Sequence, residues 1–396
     1  MNASEKNEKI NVTNCHQILV VKMDNIGDFV LATPFLRGLR ACAKNAFIDL
    51  VVSPGSYGLA KLCPYVDAVA HAQLHLKDNR VDRIDIATNS QSSNALMQRY
   101  NEKKYDLALV PRWDWDYSGA AFVAKNSGAS SIVGFSVPAL YAHIPDYSKL
   151  YTHVIRRPFA AHDIEHNDAL LQYIGGISDT NAVDVWVEES DQQFAEKALL
   201  ALRLDRQKPI ICVCPGASGF NRLLPANKLA SILCRVKQII PNVQFIVLGG
   251  PREKDIGEKL SASIDNCRNF CGATSITQVA ALLSLSTMAV SMDSGPAHIA
   301  AGVDVPVVVF SPHPKDGDPI DNHSPIRFHP WGKADAIVLQ PEHAVWPCKN
   351  RCRGVEANCI IAILDEDAVQ AIVRILQNAV HNQHLSDSLA ITSSDK

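Results

Sequence analysis

The sequence predicts an α/β protein made of two similar halves, each alternating short apolar strands with amphipathic helices. Three observations carry this. Apolar runs bounded by glycine or proline recur from Ile18 to Phe310 at the spacing of strand–helix units. Several strand ends run into glycine turns of the phosphate-binding type, at Gly27, Gly216, Gly249-Gly250 and Gly295. The pattern is broken near its middle by Gly175-Gly176 and then Ser178-Asp179-Thr180, which read as a hinge between halves at 1–178 and 179–364. A chain of 396 residues suits two domains of about 150 to 200 residues each.

In the first half, Ile18-Leu19-Val20-Val21-Lys22 reads as a buried strand. It runs into Met23-Asp24-Asn25-Ile26-Gly27-Asp28 and then a helical pattern over Phe29 to Lys44. One glycine is present where the dinucleotide fingerprint needs three, which disfavours a dehydrogenase. The turn instead sets a carboxylate, Asp28, at a helix start, where the dipole is expected to keep it ionised at neutral pH. Such a group serves as a general base if a substrate hydroxyl comes within hydrogen-bond reach, although a lone Asp in this place reads more simply as a helix cap. Strands follow at Phe47 to Ser53 and Val66 to Ala70, and the polar stretch Leu74 to Arg99 reads as a surface helix or excursion. Tyr105 to Val110 is a strand ending in Pro111-Arg112-Trp113-Asp114-Trp115-Asp116. Asp114 and Asp116 have the carboxylate spacing that can hold a divalent cation, but close carboxylate pairs also arise by chance. Arg112 with the tryptophans reads as a sugar or acceptor surface. Ser131 to Phe135 is a strand, and Ala160 to Ile174 a helix.

In the second half, the strand Pro209 to Cys214 exits through Pro215-Gly216-Ala217-Ser218-Gly219, and a helix covers Ala226 to Gln238. Val243 to Leu248 is a strand ending in Gly249-Gly250-Pro251, with a helix from Arg252. Asn269 to Cys271 is short, and Ile276 to Leu285 is helical. Met288 to Met292 then leads into Asp293-Ser294-Gly295-Pro296-Ala297-His298, where Gly295 permits a sharp turn and Pro296 suits a first helical turn. Asp293 or Ser294 can cap that helix, its free N–H groups offer a phosphate seat, and His298 can donate toward the same end. The stretch taken alone also reads as an ordinary capped helix. Glycine-bearing strand ends near 216, 249 and 295 form one edge, the expected place for a nucleotide. After the strand Val305 to Phe310 the chain is loop-rich to Pro347; a final amphipathic helix at 365–381 precedes a polar tail, 382–396, expected to be disordered.

Composition narrows the class. Apolar content of 47% with 20% charged residues is that of a globular protein with a full core. A net charge of −3 argues against a nucleic-acid binder that works by phosphate neutralisation. Residues 1–17 lack an apolar signal core and no run of about 18 apolar residues occurs, so the expected setting is the cytoplasm with at most peripheral membrane contact. Of eleven cysteines, Cys42, Cys212, Cys214 and Cys234 sit in apolar patterns and read as small buried hydrophobes. Cys348, Cys352 and Cys359, with His343, raise zinc; spacings of three and six intervening residues fit paired-cysteine knuckles poorly, and reduced structural thiols are expected.

These motifs carry a resemblance. Lys22 through Arg40, KMDNIGDFVLATPFLRGLR, resembles the first strand and helix of the family 9 glycosyltransferases, which include the ADP-heptose lipopolysaccharide heptosyltransferases. The Pro-Gly-Ala-Ser run from Pro215, Leu248-Gly249-Gly250-Pro251 and Asp293 to His298 are similar to that family's donor-half motifs in the same order, and Pro347-Cys348…Cys352…Cys359 is similar to some members. The resemblance implies the GT-B fold, two Rossmann-like domains facing across a cleft, with the C-terminal helix packing back toward the N-terminal domain. It implies inverting transfer without metal or cofactor, from a nucleotide sugar of the ADP-heptose type to a lipid-linked or oligosaccharide acceptor of the lipopolysaccharide core, at the cytoplasmic face of the inner membrane. It makes Asp28 the general base and gives Arg222 the place of a family lysine that grips the leaving diphosphate. Donor contacts fall on Gly216, Ser218, Gly250, Glu253, Asp293, Ser294, Gly295, Pro296, Ala297 and His298. Acceptor contacts fall on Lys22, Asn25, Gly27 and Arg112.

The chain departs from the pattern at Arg222, at Leu224 where an aromatic is usual, and at Pro111-Arg112-Trp113-Asp114 where many members carry a glutamine. Lys22 and Arg112 are the cations best placed for an anionic acceptor; Arg37 and Arg40 can serve there or be ordinary surface charges. Glu253 reads equally as a ribose contact or a first-turn glutamate. Other readings remain open: a transferase of another nucleotide sugar, a sugar-nucleotide epimerase of the same build, and a non-catalytic nucleotide- or glycan-binding homologue.

Overall fold

The computed structural model describes residues 10–77, 80–87, 91–137, 146–177, 182–349 and 357–393. The chain divides into two units, 1–184 and 185–396. The boundary thus falls a few residues beyond the expected 178, and Ser178-Asp179-Thr180 lie outside the described residues.

The first unit opens with β1 (Gln17–Lys22), α1 (Ile26–Leu31) and α2 (Thr33–Cys42). One helix was expected from Phe29 to Lys44; two form because Pro34 has no N–H for the Val30 carbonyl. The Thr33 hydroxyl donates to that carbonyl instead, at 2.7 Å. After β2 (Phe47–Val52) and α3 (Tyr57–Ala60) come β3 (Ala68–Lys77) and β4 (Arg80–Ala87), an antiparallel pair. The stretch Leu74 to Arg99, expected as a surface helix or excursion, holds the end of β3, then β4, then most of α4 (Gln91–Asn101). The period-two alternation in Ala70-His71-Ala72-Gln73-Leu74-His75-Leu76 is the signal for β3. The unit continues with β5 (Leu107–Leu109), α5 (Ala120–Asn126), β6 (Ser131–Phe135), β7 (His153–Ile155) and α6 (Asp163–Tyr173). The sheet order is β4-β3-β2-β1-β5-β6-β7, parallel except for the β3–β4 pair. Leu19, Val21, Ala108, Val110 and Ile132 form one face of its core, against Val123 and Ala124 of α5.

Asp116 fixes the entry to α5. Its carboxylate accepts from the backbone N–H groups of Ala120 at 3.0 Å and Ala121 at 2.8 Å, and from the Ser118 hydroxyl at 3.0 Å. Gly119, with φ of +78°, makes the turn that aims those N–H groups at it. Asp116→Ala is expected to cost about 1–2 kcal/mol. A urea titration should record this as a lower midpoint with an unchanged slope.

The second unit runs α7 (Glu189–Ala201), β8 (Ile210–Cys214), α8 (Ala226–Ile239), β9 (Gln244–Val247), α9 (Lys254–Ser263), β10 (Cys267–Asn269), α10 (Ile276–Ser284), β11 (Met288–Met292), α11 (Gly295–Gly302), β12 (Val307–Phe310), α12 (Pro325–Phe328), β13 (Ala336–Leu339), α13 (Asn358–Ile361) and α14 (Asp365–Ser393). Its sheet is wholly parallel in the order β10-β9-β8-β11-β12-β13. Numbered within the unit this is 3-2-1-4-5-6, the doubly wound order. The strand β13 lies inside the stretch read as loop-rich.

The last helix takes up its apolar face inside the second unit. Val369, Ile372, Ile375 and Leu376 are buried in one cluster with Leu229, Ile232, Leu233 and Val236 of α8 and Val290 of β11. Each such side chain contributes about 1.5–3 kcal/mol relative to exposure. Lys228 pairs with Asp365, and Arg235 with Glu366, at the same seam. Helix continues past 381 to Ser393, over part of the tail read from sequence as disordered. Among the described residues no helix is long and apolar enough to cross a membrane.

Candidate functional site

In each unit the strand order reverses at one place, between β1 and β5 in the first sheet and between β8 and β11 in the second. Connections leave these neighbouring strands toward opposite faces, which opens a crevice at their carboxyl ends. The candidate base, acceptor and donor residues singled out by sequence lie near these two places.

At the first, the exits of β1 and β5 bring together two cations and three carboxylates, and the start of α6 adds a fourth. Lys22 is buried, and its ammonium contacts Asp24 Oδ2 at 2.8 Å, the Pro111 carbonyl at 2.7 Å and Asp163 Oδ2 at 3.5 Å. Arg112 directs Nη1 to Asp24 Oδ1 at 2.8 Å, Nη2 to Asp114 Oδ1 at 2.5 Å and Nε to the Trp115 carbonyl at 2.7 Å. Its guanidinium carbon lies 4.5 Å from the centre of the Tyr117 ring, and the Tyr117 hydroxyl accepts from Asn25 Nδ2 at 2.9 Å. Lys22 and Arg112, expected to face an anionic acceptor, are both buried side chains paired with the carboxylates beside them, which demand compensation. Arg37 and Arg40 are likewise engaged, with Asp184 and Asp67 respectively.

Asp28 sits in the first turn of α1, where its Oδ2 accepts from the Asn25 N–H at 3.2 Å. Its nearest cation atom, Arg112 Nη1, is 3.9 Å away, beyond hydrogen-bond reach. Its side chain is 13% exposed, against 1% for Asp24, 3% for Asp114 and 6% for Asp163, so Asp28 is the carboxylate of this group most open to a substrate. Burial, and then the charge of Asp24, push its carboxyl up to about 7, against the pull of Lys22 and Arg112. The expectation that the helix dipole keeps it ionised gives way here: α1 has only 6 residues, and desolvation with a like charge outweighs so short a dipole. Although desolvation alone would raise Asp24 as well, Arg112 and Lys22 hold that carboxyl below its usual range. Gly27, within α1, is buried. Asp114 and Asp116, the pair with metal-ligand spacing, are engaged in an ion pair and a helix cap.

At the second place, β9, β8 and β11 are adjacent, so their glycine exits line one edge of the sheet. Arg222 joins two of them, donating from Nη1 to the Asp293 carbonyl at 3.0 Å and from Nη2 to the Ser218 hydroxyl. Ser294 stands at the cap position of α11, but its hydroxyl donates back to the Met292 carbonyl at 3.3 Å. Neither Asp293 nor Ser294 closes the helix start with a side chain; Pro296 has no N–H to offer and the Ala297 N–H donates to the Ser294 carbonyl at 3.0 Å, so what this end presents is the Gly295 N–H and the positive end of the helix dipole. Burial pushes the Asp293 carboxyl up to about 6, with Arg222 pulling the other way. His298 is buried within the same helix.

Glu253 caps its own turn, accepting from the Gly250 N–H at 2.7 Å. It also lies against Gly216, where an added Cβ would fall 2.8 Å from Glu253 Cγ. Gly216 thus lets Glu253 lean over the β8 exit. The sequence offered no signal for His323, which the β12 exit brings near Arg222; burial and then Arg222 push its imidazole down to about 4. Leu224, in place of an aromatic, is buried in the core. Of the possible zinc ligands, Cys348 and Cys359 are buried, His343 bonds Asp316 at 2.8 Å, and Cys352 lies outside the described residues.

The lipopolysaccharide core heptosyltransferase OpsX of Haemophilus influenzae is 27% identical over 185 residues, 46% of this chain; the match spans about half of that relative, 49%. Lipopolysaccharide heptosyltransferase 2 of Salmonella typhimurium is 24% identical over 335 residues, covering 78% of this chain and 86% of that protein. Among solved structures, a family 9 glycosyl transferase from Veillonella parvula superposes with a TM-score of 0.68 at 17% identity, over 92% of this chain and 97% of that one. Escherichia coli heptosyltransferase WaaC with ADP superposes with a TM-score of 0.61 at 16% identity, over 91% and 99%. The fold is that of the GT-B heptosyltransferases. The model of glycosyltransferase family 9 (heptosyltransferase) matches residues 94–355, well over half of the sequence, and the chain belongs to that family.

Proposed function

We propose that this protein transfers a heptose, or a closely related sugar, from an ADP-sugar to a hydroxyl of a lipopolysaccharide core acceptor, with inversion and without a metal. The observation that carries the reading is Asp28, a partly exposed carboxylate pushed up to about 7 at the reversal point of the first sheet. A general base works best with a pKa near the working pH. In the proposed step Asp28 takes the proton of the acceptor hydroxyl as its oxygen bonds the anomeric carbon. The bond from that carbon to the diphosphate breaks, and the electron pair leaves on ADP. A single displacement of this kind inverts the anomeric centre.

The second unit is assigned the donor. Arg222 and the start of α11 supply positive potential where the leaving diphosphate gains charge. Glu253 at the neighbouring exit is assigned the ribose. The lipid-linked acceptor and the ADP-heptose donor are supported by the names of the relatives and by WaaC, solved with ADP.

A thermal-shift panel with ADP, UDP, GDP and dTDP tests the donor directly. A ligand at 100 times its Kd adds about 2.7 kcal/mol to the folded state. ADP is expected to raise Tm by several degrees and the other nucleotides by much less. A larger shift with another base would replace ADP-heptose with a different nucleotide sugar. No shift with any of them would favour a non-catalytic homologue.

A further inference from the structure

We infer that Asp24 is a positioning residue for the base: it takes the Lys22 ammonium and the Arg112 guanidinium onto its own carboxylate and so withholds both from Asp28. The inference rests on the reading of Asp28 as the base. Asp24 uses one oxygen for each cation, Oδ2 for Lys22 at 2.8 Å and Oδ1 for Arg112 Nη1 at 2.8 Å. The other donor groups of the two cations are directed to Asp114, the Trp115 carbonyl, the Pro111 carbonyl and Asp163. Arg112 Nη1 is left 3.9 Å from Asp28 Oδ1, near enough to act through space but too far for a hydrogen bond. Asp28 thereby keeps a face open for a substrate proton. A base locked in a bidentate arginine pair would be a weak proton acceptor.

The charged and titratable groups around Asp28 are Lys22 and Asp24 from the end of β1, Arg112, Asp114 and Tyr117 from the exit of β5, and Asp163 from the start of α6. Burial raises the Asp28 carboxyl most and Asp24 comes next, while Lys22 and Arg112 oppose them and Asp163 adds a little. Neutralising Asp24 acts twice in one direction. It removes a like charge, and it releases Arg112 Nη1 to close on Asp28.

The test is the pH dependence of kcat/KM for transfer in Asp24→Asn, Asp24→Glu and Arg112→Gln. Asp24→Asn is expected to move the acid limb down by roughly one pH unit or more, and Asp24→Glu to return it toward the parent position. Arg112→Gln is expected to move it up, so it supplies a test of opposite sign if Asp24→Asn does not fold. The same variants are read without turnover by ¹³C NMR titration of the Asp28 carboxyl, assigned from the resonance missing in Asp28→Asn. An unmoved Asp28 midpoint in a folded Asp24 or Arg112 variant overturns the inference. A midpoint that moves while the kinetic limb stays overturns Asp28 as the base, so the two failures are distinct.

Discussion

Asp28→Asn is expected to reduce turnover by about 10²–10⁴-fold, the usual span for loss of a general base, while ADP affinity stays at the parent value. Asparagine keeps the size of the side chain and an oxygen that can accept the Asn25 N–H, so the α1 turn survives. In the parent enzyme the base acts when deprotonated, so kcat/KM should fall as pH drops below about 7. Stability should move the other way. The folded carboxyl is raised above its ordinary 3.8, so its contribution is fully present below that value and is lost as pH rises through about 7. Asparagine carries no such loss. The variant should therefore melt higher than the parent at pH 8, and the difference should shrink by pH 5. Calorimetry at those two pH values, with single-turnover transfer assays, checks both halves. A variant that retained transfer would remove Asp28 as the base.

What sequence could reveal was whatever is encoded locally. β8 and β11 and their glycine exits were legible because an apolar run followed by glycine or proline needs no partner to be recognised. The two-residue difference between Asp114 and Asp116 was equally visible, but not its meaning: one binds Arg112 and the other caps α5. Short edge strands such as β7 and β13 gave no comparable signal, since three or four residues carry too little periodicity. The β3–β4 pair shows alternation, but its polar residues resemble those of a solvated helix.

The charge cluster was the least legible part. Asp163 lies 141 residues from Lys22 in sequence (163 − 22) yet 3.5 Å from its ammonium. A lysine at the end of an apolar strand reads as a ligand for an anion until the carboxylates that surround it are seen. That reversal also changes how Asp28 works. Helix position argued for a permanently ionised carboxylate, whereas burial beside Asp24 makes it a titrating one.

Arg222→Ala is expected to lower kcat/KM by about 10²–10³-fold, the cost of removing one preorganised donor to a developing anion. Arg222→Lys should recover part of this and remain about tenfold below the parent, the effect of one lost hydrogen bond. The difference follows from shape. Two nitrogens of the guanidinium span the exits of β8 and β11, one on the Ser218 hydroxyl and one on the Asp293 carbonyl, and a single ammonium has no matching fork. Steady-state kinetics with ADP affinity measured in parallel separates loss of binding from loss of transition-state stabilisation. An independent signal comes from His323, whose imidazole is pushed down first by burial and then by Arg222. Its NMR titration midpoint should rise from about 4 in Arg222→Ala and stay low in Arg222→Lys. If His323 moves as expected but kcat/KM is retained in the alanine variant, the start of α11 alone carries the diphosphate, and the arginine that replaces the usual lysine is there to tie two strand exits together.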